Sequence, residues 1–532
     1  MFIWSFLCVA VHAQQQGKPE EKRVNKKNLQ LSNIHLQSGV DRFNGREYFT
    51  AIEEFKTALK YNPNLWLAYR FMGDAERQLG KFTDAVTNYN NALLFKEDTA
   101  SYFGRAEARR MNREFDLALT DYNKALVISP KNYTFHLGKG ECLIELDRFE
   151  EAVEEFTLCI RHQPYSRPGY SKRGFSYFSL KKYFEAIIDF NNYFRLNGRE
   201  VAAYYYRGSS YLSLSFSNIV YADSAIADYK IMENLDNGGN SYDGLGAAYG
   251  IKGDSSIARK YFRMAVKIDP ENSETYYLWG RSELNFGEYK KALDLFNRQA
   301  LLVKVMDSNL YFSFAMANLG LCKLDVSLEY FAKAIELDSL KSEYYLSRIG
   351  ALFRSQKTNE NLITRRDLTK VIKLSDDRKL RSMLLVSRGF IELRLGNSTE
   401  ARNDIDSAMV VSLPGAIHYM FRGIVKSNNQ ETSTSIVSDF DLAIEQDSSM
   451  WQPWLMKSYF YRGQKDKKQS CNSLKKAIDL GASVDEETKH YLCSGKRDLQ
   501  IEGMALNSIL SDLLVKSILS KGSLTIDCDN VR

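Results

Sequence analysis

Arg105, Lys139, Arg173 and Arg207 follow one another at intervals of 34 residues, each with a small residue directly after it: Ala106, Gly140, Gly174 and Gly208. A fixed period of this length restricts the fold more than any other property of the sequence. It is the length of a helical hairpin, a unit that cannot bury its apolar face alone and stacks on copies of itself to complete a core. The 532 residues therefore count repeats rather than domains, because such an array grows by adding units and escapes the size limit of a single core.

Hydrophobic residues make up 44% and charged residues 26% of the chain, which argues against bulk disorder, and the combination of 8 prolines with 32 tyrosines favours long helices with aromatic packing. The formal charge is only +6 and basic residues are interleaved with acidic ones, so general nucleic-acid binding is not expected. His35, His136, His162, His418 and His490 stand apart from one another without metal-ligand spacing, and each reads as a turn or packing residue. There is no CxxC, no phosphate-loop pattern and no nucleophile elbow. The expectation is a protein that is not an enzyme and carries neither cofactor nor metal.

Residues 1–13 contain an apolar run from Phe2 to Val11 and end in Val11, His12, Ala13 before Gln14, the small-residue exit of a signal peptide cleaved after Ala13. The usual positive start is missing, and a short buried helix is the alternative. No other stretch is long and apolar enough to span a bilayer. Residues 14–31, with Lys18, Lys22, Arg23, Lys26 and Lys27, read as a basic linker, residues 32–483 as the array, and residues 484–532 as a closing helix and tail. In that tail Leu506, Ile509, Leu510, Leu513, Leu514 and Ile518 recur at helical spacing, with Asn507, Ser511, Asp512 and Lys516 on the other side. Such a helix caps the last hairpin or pairs with a second copy. Cys142, Cys159 and Cys322 fall in expected helices as small buried hydrophobes. Cys471 and Cys493 lie 22 positions apart across the end of the array, where a bridge formed in an oxidising compartment would add about 3 kcal/mol.

Within the array the unit has a small residue at position 8, Ala at 20, an aromatic at 24, Ala at 27 and often Pro at 32. Gly39, Ala51, Phe55, Ala58 and Pro63 occupy these places first, then Gly73, Ala85, Tyr89 and Ala92, then Ala106, Ala118, Tyr122, Ala125 and Pro130. Gly140, Ala152 and Phe156 continue the series, as do Gly174, Ala186 and Phe190, and later Gly246, Ala258, Phe262, Ala265 and Pro270. The pattern resembles the tetratricopeptide repeat family, over about 450 residues. The resemblance implies an all-α, right-handed superhelical solenoid of about thirteen hairpins with a C-terminal capping helix. The sixth unit carries an insertion around Ser215 to Ala222, and the tenth is degenerate, with Ile349 at the small position and extra length at Lys357 to Asn361. The stretch from Asp466 to Cys493 looks like the closing segment of exported bacterial members of the family, which points to a periplasmic or envelope-associated protein.

Eight units carry Arg or Lys at position 7, where the family commonly has Leu. In seven of them position 23 is acidic: Asp121, Glu155, Asp189, Asp228, Asp367, Asp404 and Asp439. Where position 7 is apolar, as in Leu245, Trp279 and Phe314, position 23 is Tyr261, Leu295 and Tyr330. This correlated exchange predicts a semi-buried ion pair inside each hairpin rather than a ligand-binding column.

The family commonly binds extended peptides or partner helices on a concave face built from positions 2, 5, 9 and 12 of the first helices. Here those positions offer Arg70, Asp74, Arg77, Phe103, Glu107 and Arg110, with Glu141 and Glu145, then Phe175, Phe178 and Tyr205, then Tyr277 and Arg281. Mixed charge with aromatics suits a protein segment better than a phosphate backbone, which calls for one sign of charge. The expectation is a non-catalytic scaffold of the cell envelope that holds a protein or peptide partner, with no nucleic acid and no membrane span, and with self-association through the C-terminal helix as a further contact. A glycan or cell-wall binding module and a regulatory subunit of an envelope enzyme are the alternatives.

Overall fold

The computed structural model describes residues 25–236, 239–355, 360–484, 486–494, 510, 511, 513 and 514. Helices follow one another in consecutive pairs from Lys26–Asn44 with Tyr48–Tyr61 to Gln452–Gly463 with Lys467–Asp479, thirteen hairpins among the described residues, and Glu486–Ser494 comes after them. The fold is an all-α repeat solenoid. Its packing divides into two compact units, one ending at Ala248 and the other beginning at Tyr249.

The turns explain why the period is kept. Several first helices begin at a short polar side chain in the inter-repeat turn: Asp98 accepts from the backbone N–H groups of Ala100 and Ser101, Asn132 from Thr134, Asp307 from Leu310 and Asp377 from Lys379. Inside eleven of the hairpins one residue adopts a left-handed backbone, and Gly80, Gly287 and Gly396 take it without strain while Arg113 and Asp147 take it at φ 62° and 56°. The chain thus reverses in three residues and lays the second helix against the first.

Packing follows from the small and aromatic positions. Phe156 is fully buried, and a Cβ added to Gly140 would lie 2.6 Å from its ring. Phe296 meets Gly280 and Phe440 meets Gly423 in the same way, at 2.5 and 2.8 Å. Ala51, Ala58, Ala85, Ala92, Ala118, Ala125 and Ala152 are all at zero exposure, because the two helices of a hairpin and the next hairpin meet at these places.

Several features depart from the sequence reading. The first helix starts at Lys26, capped by Asn25, so the stretch 26–31 is helix and not linker. Cys322 is not in a helix: it holds the tight turn between Ser308–Gly320 and Leu324–Leu337 at φ 57°, and it is disulfide-bonded. Cys142 and Cys159 are free and buried as expected, and burial pushes the Cys142 thiol up to about 12. Ser511 is buried at 3% exposure instead of lying on a solvated face, while Leu510 and Leu514 join the core of the last repeats. Leu506, Asn507, Ile509, Asp512, Lys516 and Ile518, together with the whole leader, lie outside the described residues.

The sixth hairpin, expected to hold its extra residues in the turn, spreads them over the turn and both helices: Val201–Ser215 and Tyr221–Asp236 run 15 and 16 residues, against 13 and 14 for Thr99–Met111 and Phe115–Ile128. The tenth, Ser342–Ser355 with Asn361–Leu374, remains a hairpin, with Ile349 and Leu368 buried. Cys471 and Cys493 are bonded with their Cα atoms 4.8 Å apart, tying the last repeat to the helix that follows it.

Candidate functional site

The seven acidic residues at position 23 all meet the base at position 7 of the same hairpin. Arg105–Asp121, Lys139–Glu155, Arg173–Asp189, Arg207–Asp228, Arg348–Asp367, Arg388–Asp404 and Arg422–Asp439 are ion pairs at 2.5 to 2.7 Å. The six arginines grip with two nitrogens, and the Asp121, Asp189 and Asp367 carboxylates are almost wholly buried. Burial pushes the Asp189 and Asp228 carboxyls up while their arginines draw them back. This column is structural.

The same bases also bind the preceding repeat, which the internal comparison did not show. A second terminal nitrogen of Arg105 reaches Asn90, that of Arg173 reaches Thr157, that of Arg207 reaches Asn191 and that of Arg388 reaches Thr369. Lys457, whose own hairpin has Ser473 opposite, pairs with Asp441 of the preceding repeat at 2.6 Å. In the first repeat Glu54 takes His35, and in the fourth Glu155 takes His136 beside Lys139. Where position 7 is Trp279, the charge is carried by Arg259 and Glu283 instead, 2.6 Å apart, and Trp279 donates to Glu283.

A second rule governs position 9. Tyr89 donates its hydroxyl to Asp74 at 2.7 Å, Tyr122 donates to Glu107, and the Tyr229 hydroxyl meets Ser209 at 2.9 Å. In these three cases position 6 of the next repeat is glycine, Gly104, Gly138 or Gly244, lying against the end of the tyrosine ring. A phenylalanine at position 24 has no hydroxyl to place, and after Phe55, Phe156 and Phe190 position 6 is Phe71, Lys172 and Tyr206. Tyrosine at 24 and glycine at the next position 6 thus vary together, a signal present in the sequence and missed there; the acceptor at 9 accompanies them but also occurs as Glu141 beside Phe156.

The charged candidates of the first unit fall into two ion-pair groups, one in the second repeat and one running from the third to the fifth. Arg70 pairs with Asp74 at 3.2 Å and lies over the Phe71 ring at 3.8 Å. Arg110 pairs with Glu107 at 2.8 Å and reaches Glu141 of the next repeat at 3.3 Å, and Lys172 of the repeat after that stands 3.7 Å from Glu141. Burial works against the Arg77 guanidinium, but the Tyr89 hydroxyl, Asp74 and Glu107 outweigh it and raise the group; only its Nε, like that of Arg110, is shut off from solvent without a hydrogen-bond partner. Burial pushes the Asp74 carboxyl up, against the pull of the Tyr89 hydroxyl and of Arg70.

The aromatic candidates are less free than expected. Phe103 packs on Phe135 with ring centres 4.9 Å apart. Phe175 meets Tyr206 edge-on at 4.9 Å, Phe178 meets it at 5.2 Å, and Tyr205 leans on it at 5.3 Å, so Tyr206 is the hub of the group. In the second unit Arg281 lies 5.8 Å from the Tyr277 ring, and burial raises the Tyr277 hydroxyl. Each of the candidate rings is half-buried.

No group of three or more His, Cys, Asp or Glu able to hold a metal ion occurs among the described residues, and no helix among them is long and apolar enough to cross a membrane. In the second unit a cavity of about 760 Å³ is lined by Lys379, Met383, Leu413, His418, Asp447 and Leu513 among others. His418 Nδ1 accepts from the Gly415 N–H at 3.1 Å, which leaves the proton on Nε2 to donate to Ser382 Oγ at 2.8 Å, and Ser382 in turn donates to the Ala408 carbonyl. With its hydroxyl hydrogen committed to that carbonyl, Ser382 is not a nucleophile poised by a base. Burial holds the His418 imidazole below its ordinary 6.5. The unfolded chain therefore binds the proton first as pH falls, and His418 contributes stability that is present above about pH 6.5 and is lost as pH drops toward the folded value. Thermal melts of the wild type are expected to move down between pH 7 and pH 5, with part of that slope absent from His418→Gln. Identical slopes for the two proteins would show that His418 carries none of it.

The family model for the tetratricopeptide repeat matches residues 36–102, 71–133 and 103–166, and a second model of the same description matches residues 239–272 and 452–480. These segments are tetratricopeptide repeats. Superkiller protein 3 of Schizosaccharomyces pombe is 24% identical over 120 residues, which is 22% of this chain and 9% of that protein. Among solved structures, a tetratricopeptide repeat protein from Parabacteroides merdae is 16% identical, with 54% of this chain and 99% of that chain covered at a TM-score of 0.29. A MamA protein structure is 25% identical over 33% of this chain and 94% of that one, with a TM-score of 0.30. The APC/C hetero-tetramer Cut9-Hcn1 is similar over 92% of this chain and 94% of that chain, at 13% identity and a TM-score of 0.35. Tetratricopeptide repeats generally serve as scaffolds that bind protein or peptide partners.

Proposed function

We propose that the chain is a non-catalytic scaffold of the bacterial cell envelope, exported by its first thirteen residues, which holds a protein partner by an extended segment laid in the groove of its N-terminal unit. The observation that carries this reading is the run of alternating charges Glu107, Arg110, Glu141 and Lys172 across three successive repeats, with the pair Arg70–Asp74 in the repeat before it. Donors and acceptors alternate there as a peptide backbone and polar side chains alternate along an extended segment. The bond between Cys471 and Cys493 supports an oxidising compartment.

A glycan-binding module would need aromatic faces turned to solvent, and Phe175 and Tyr205 are instead engaged on Tyr206. The test is affinity purification of the mature chain from its own host after mild crosslinking, with mass spectrometry of partners and crosslinked sites. Crosslinks from one protein gathered on the first helices of the second to sixth repeats are the expected result. Recovery of the chain with polysaccharide alone, or crosslinks confined to the second unit, would overturn it.

A further inference from the structure

We infer that the exported chain carries a second disulfide, from Cys322 in the turn of the ninth hairpin to Cys528 near the end of the sequence, which ties the C-terminal segment back across the second unit; this rests on the export reading above. The sequence holds seven cysteines. Cys142 and Cys159 are free, and Cys471 is bonded to Cys493. Cys322 is disulfide-bonded too, and the cysteines that remain to serve it are Cys8 and Cys528. Cleavage after Ala13 removes Cys8 with the leader. Of the cysteines in this sequence, Cys528 is then the partner left.

The intervening residues can cover the span. Leu510 and Leu514 are buried in the core of the last repeats, and Leu513 lines the cavity with Met383, Leu413 and Met450, beside the turns that join repeats eleven to thirteen. Cys322 holds a turn inside a hairpin, and since successive helices alternate in direction, that turn lies at the opposite edge of the array. Two to three repeats at about 10 Å each and the ~21 Å length of a helix such as Leu324–Leu337 give a diagonal of ~29 to 37 Å. Cys528 stands 14 positions beyond Leu514, a stretch that reaches ~46 Å when extended at about 3.3 Å per residue. Closing the bridge takes two protons and two electrons from the two thiols; a disulfide-bearing oxidant of the compartment accepts them and leaves as the dithiol. Held at Leu514 by packing and at Cys528 by a bond, the segment is committed to its own chain and is not free to pair with a second copy. The bridge also closes a loop through repeats nine to thirteen, which keeps the array from fraying at that end.

The experiment is tryptic mapping of the chain purified from its own host, with free thiols blocked by N-ethylmaleimide, before and after reduction. Trypsin puts each cysteine that matters on its own peptide: Cys322 on 305–323, Cys528 on 522–532, Cys471 on 469–475, Cys493 on 490–496 and Cys8 on 1–18. The expected result is a chain that begins at Gln14 and yields 305–323 joined to 522–532, a species that disappears on reduction. Cys528→Ser is expected to turn Cys322 into a maleimide-reactive thiol while 469–475 stays joined to 490–496, which shows that the end of the array still folds. A wild-type chain that begins at Gln14 with Cys322 blocked by maleimide, or with 305–323 joined to a second copy of itself, would overturn the bridge and leave export standing. A join of 305–323 to 1–18 would overturn both.

Discussion

Arg173→Ala is expected to lower the free energy of unfolding by about 3 to 5 kcal/mol, the range for removing one partner of a buried ion pair. The Asp189 side chain is 2% exposed and receives two parallel hydrogen bonds from Arg173 at 2.7 and 2.8 Å, so alanine strands a carboxylate where water cannot reach it. Two further observables separate this cause from simple loss of packing. Burial already pushes the Asp189 carboxyl above its ordinary value, and without Arg173 it rises further. The variant's deficit therefore shrinks as pH falls, because the stranded carboxylate takes up a proton and loses its charge. The pair Arg173→Met with Asp189→Leu removes both charges and is expected to return most of the loss. Arg173 also reaches Thr157 of the preceding repeat at 3.0 Å, and weakening that contact reduces the coupling between repeats four and five. Urea unfolding of Arg173→Ala should accordingly broaden as well as shift. A single variant that unfolds with the wild type would sink the structural reading of the column.

How much of this was legible beforehand differs between the core and the surface. The hairpins could be read because each repeat is a control for every other: a base at position 7 appears with an acid at 23 in seven of eight units, and Trp279 with Leu295 shows both absent, while Lys457 with Ser473 and Glu54 without a base are the exceptions. Steric exclusion makes the same point at position 8, where only glycine, alanine or serine recurs opposite the aromatic in the regular units. The link between Tyr89, Asp74 and Gly104 follows the same logic but crosses from one repeat into the next, and it escaped a comparison made position by position within the unit. Cys322 was misplaced for a local reason. Its turn is made by one left-handed residue, and glycine at the equivalent Gly80 and Gly287 announces that turn whereas cysteine does not. The binding face was legible only as a set of positions. Which of its charges are satisfied depends on side-chain reach across repeats, as with Arg110 and Glu141, and no period encodes that.

The contact of Gly140 with Phe156 offers the other large effect. Phe156→Ala removes a fully buried ring and is expected to lower unfolding free energy by about 3 to 5 kcal/mol through lost burial and the cavity left behind. Gly140→Leu creates the opposite fault. Its Cβ alone would fall 2.6 Å from the ring, and overpacking of a close-packed core costs about 1 to 3 kcal/mol. The two faults occupy the same space, so they should not add. With Phe156 cut back to alanine, the Leu side chain enters the volume the ring vacated, and the double variant Gly140→Leu with Phe156→Ala is expected to be more stable than Phe156→Ala alone. The coupling term from a double-mutant cycle by urea unfolding should be favourable by at least about 1 kcal/mol, since residues in direct contact commonly couple by 0.5 to 3 kcal/mol. Strict additivity would mean that the small residue at position 8 serves helix approach generally and not the aromatic at 24, and the explanation of the repeat's two most regular positions would have to change.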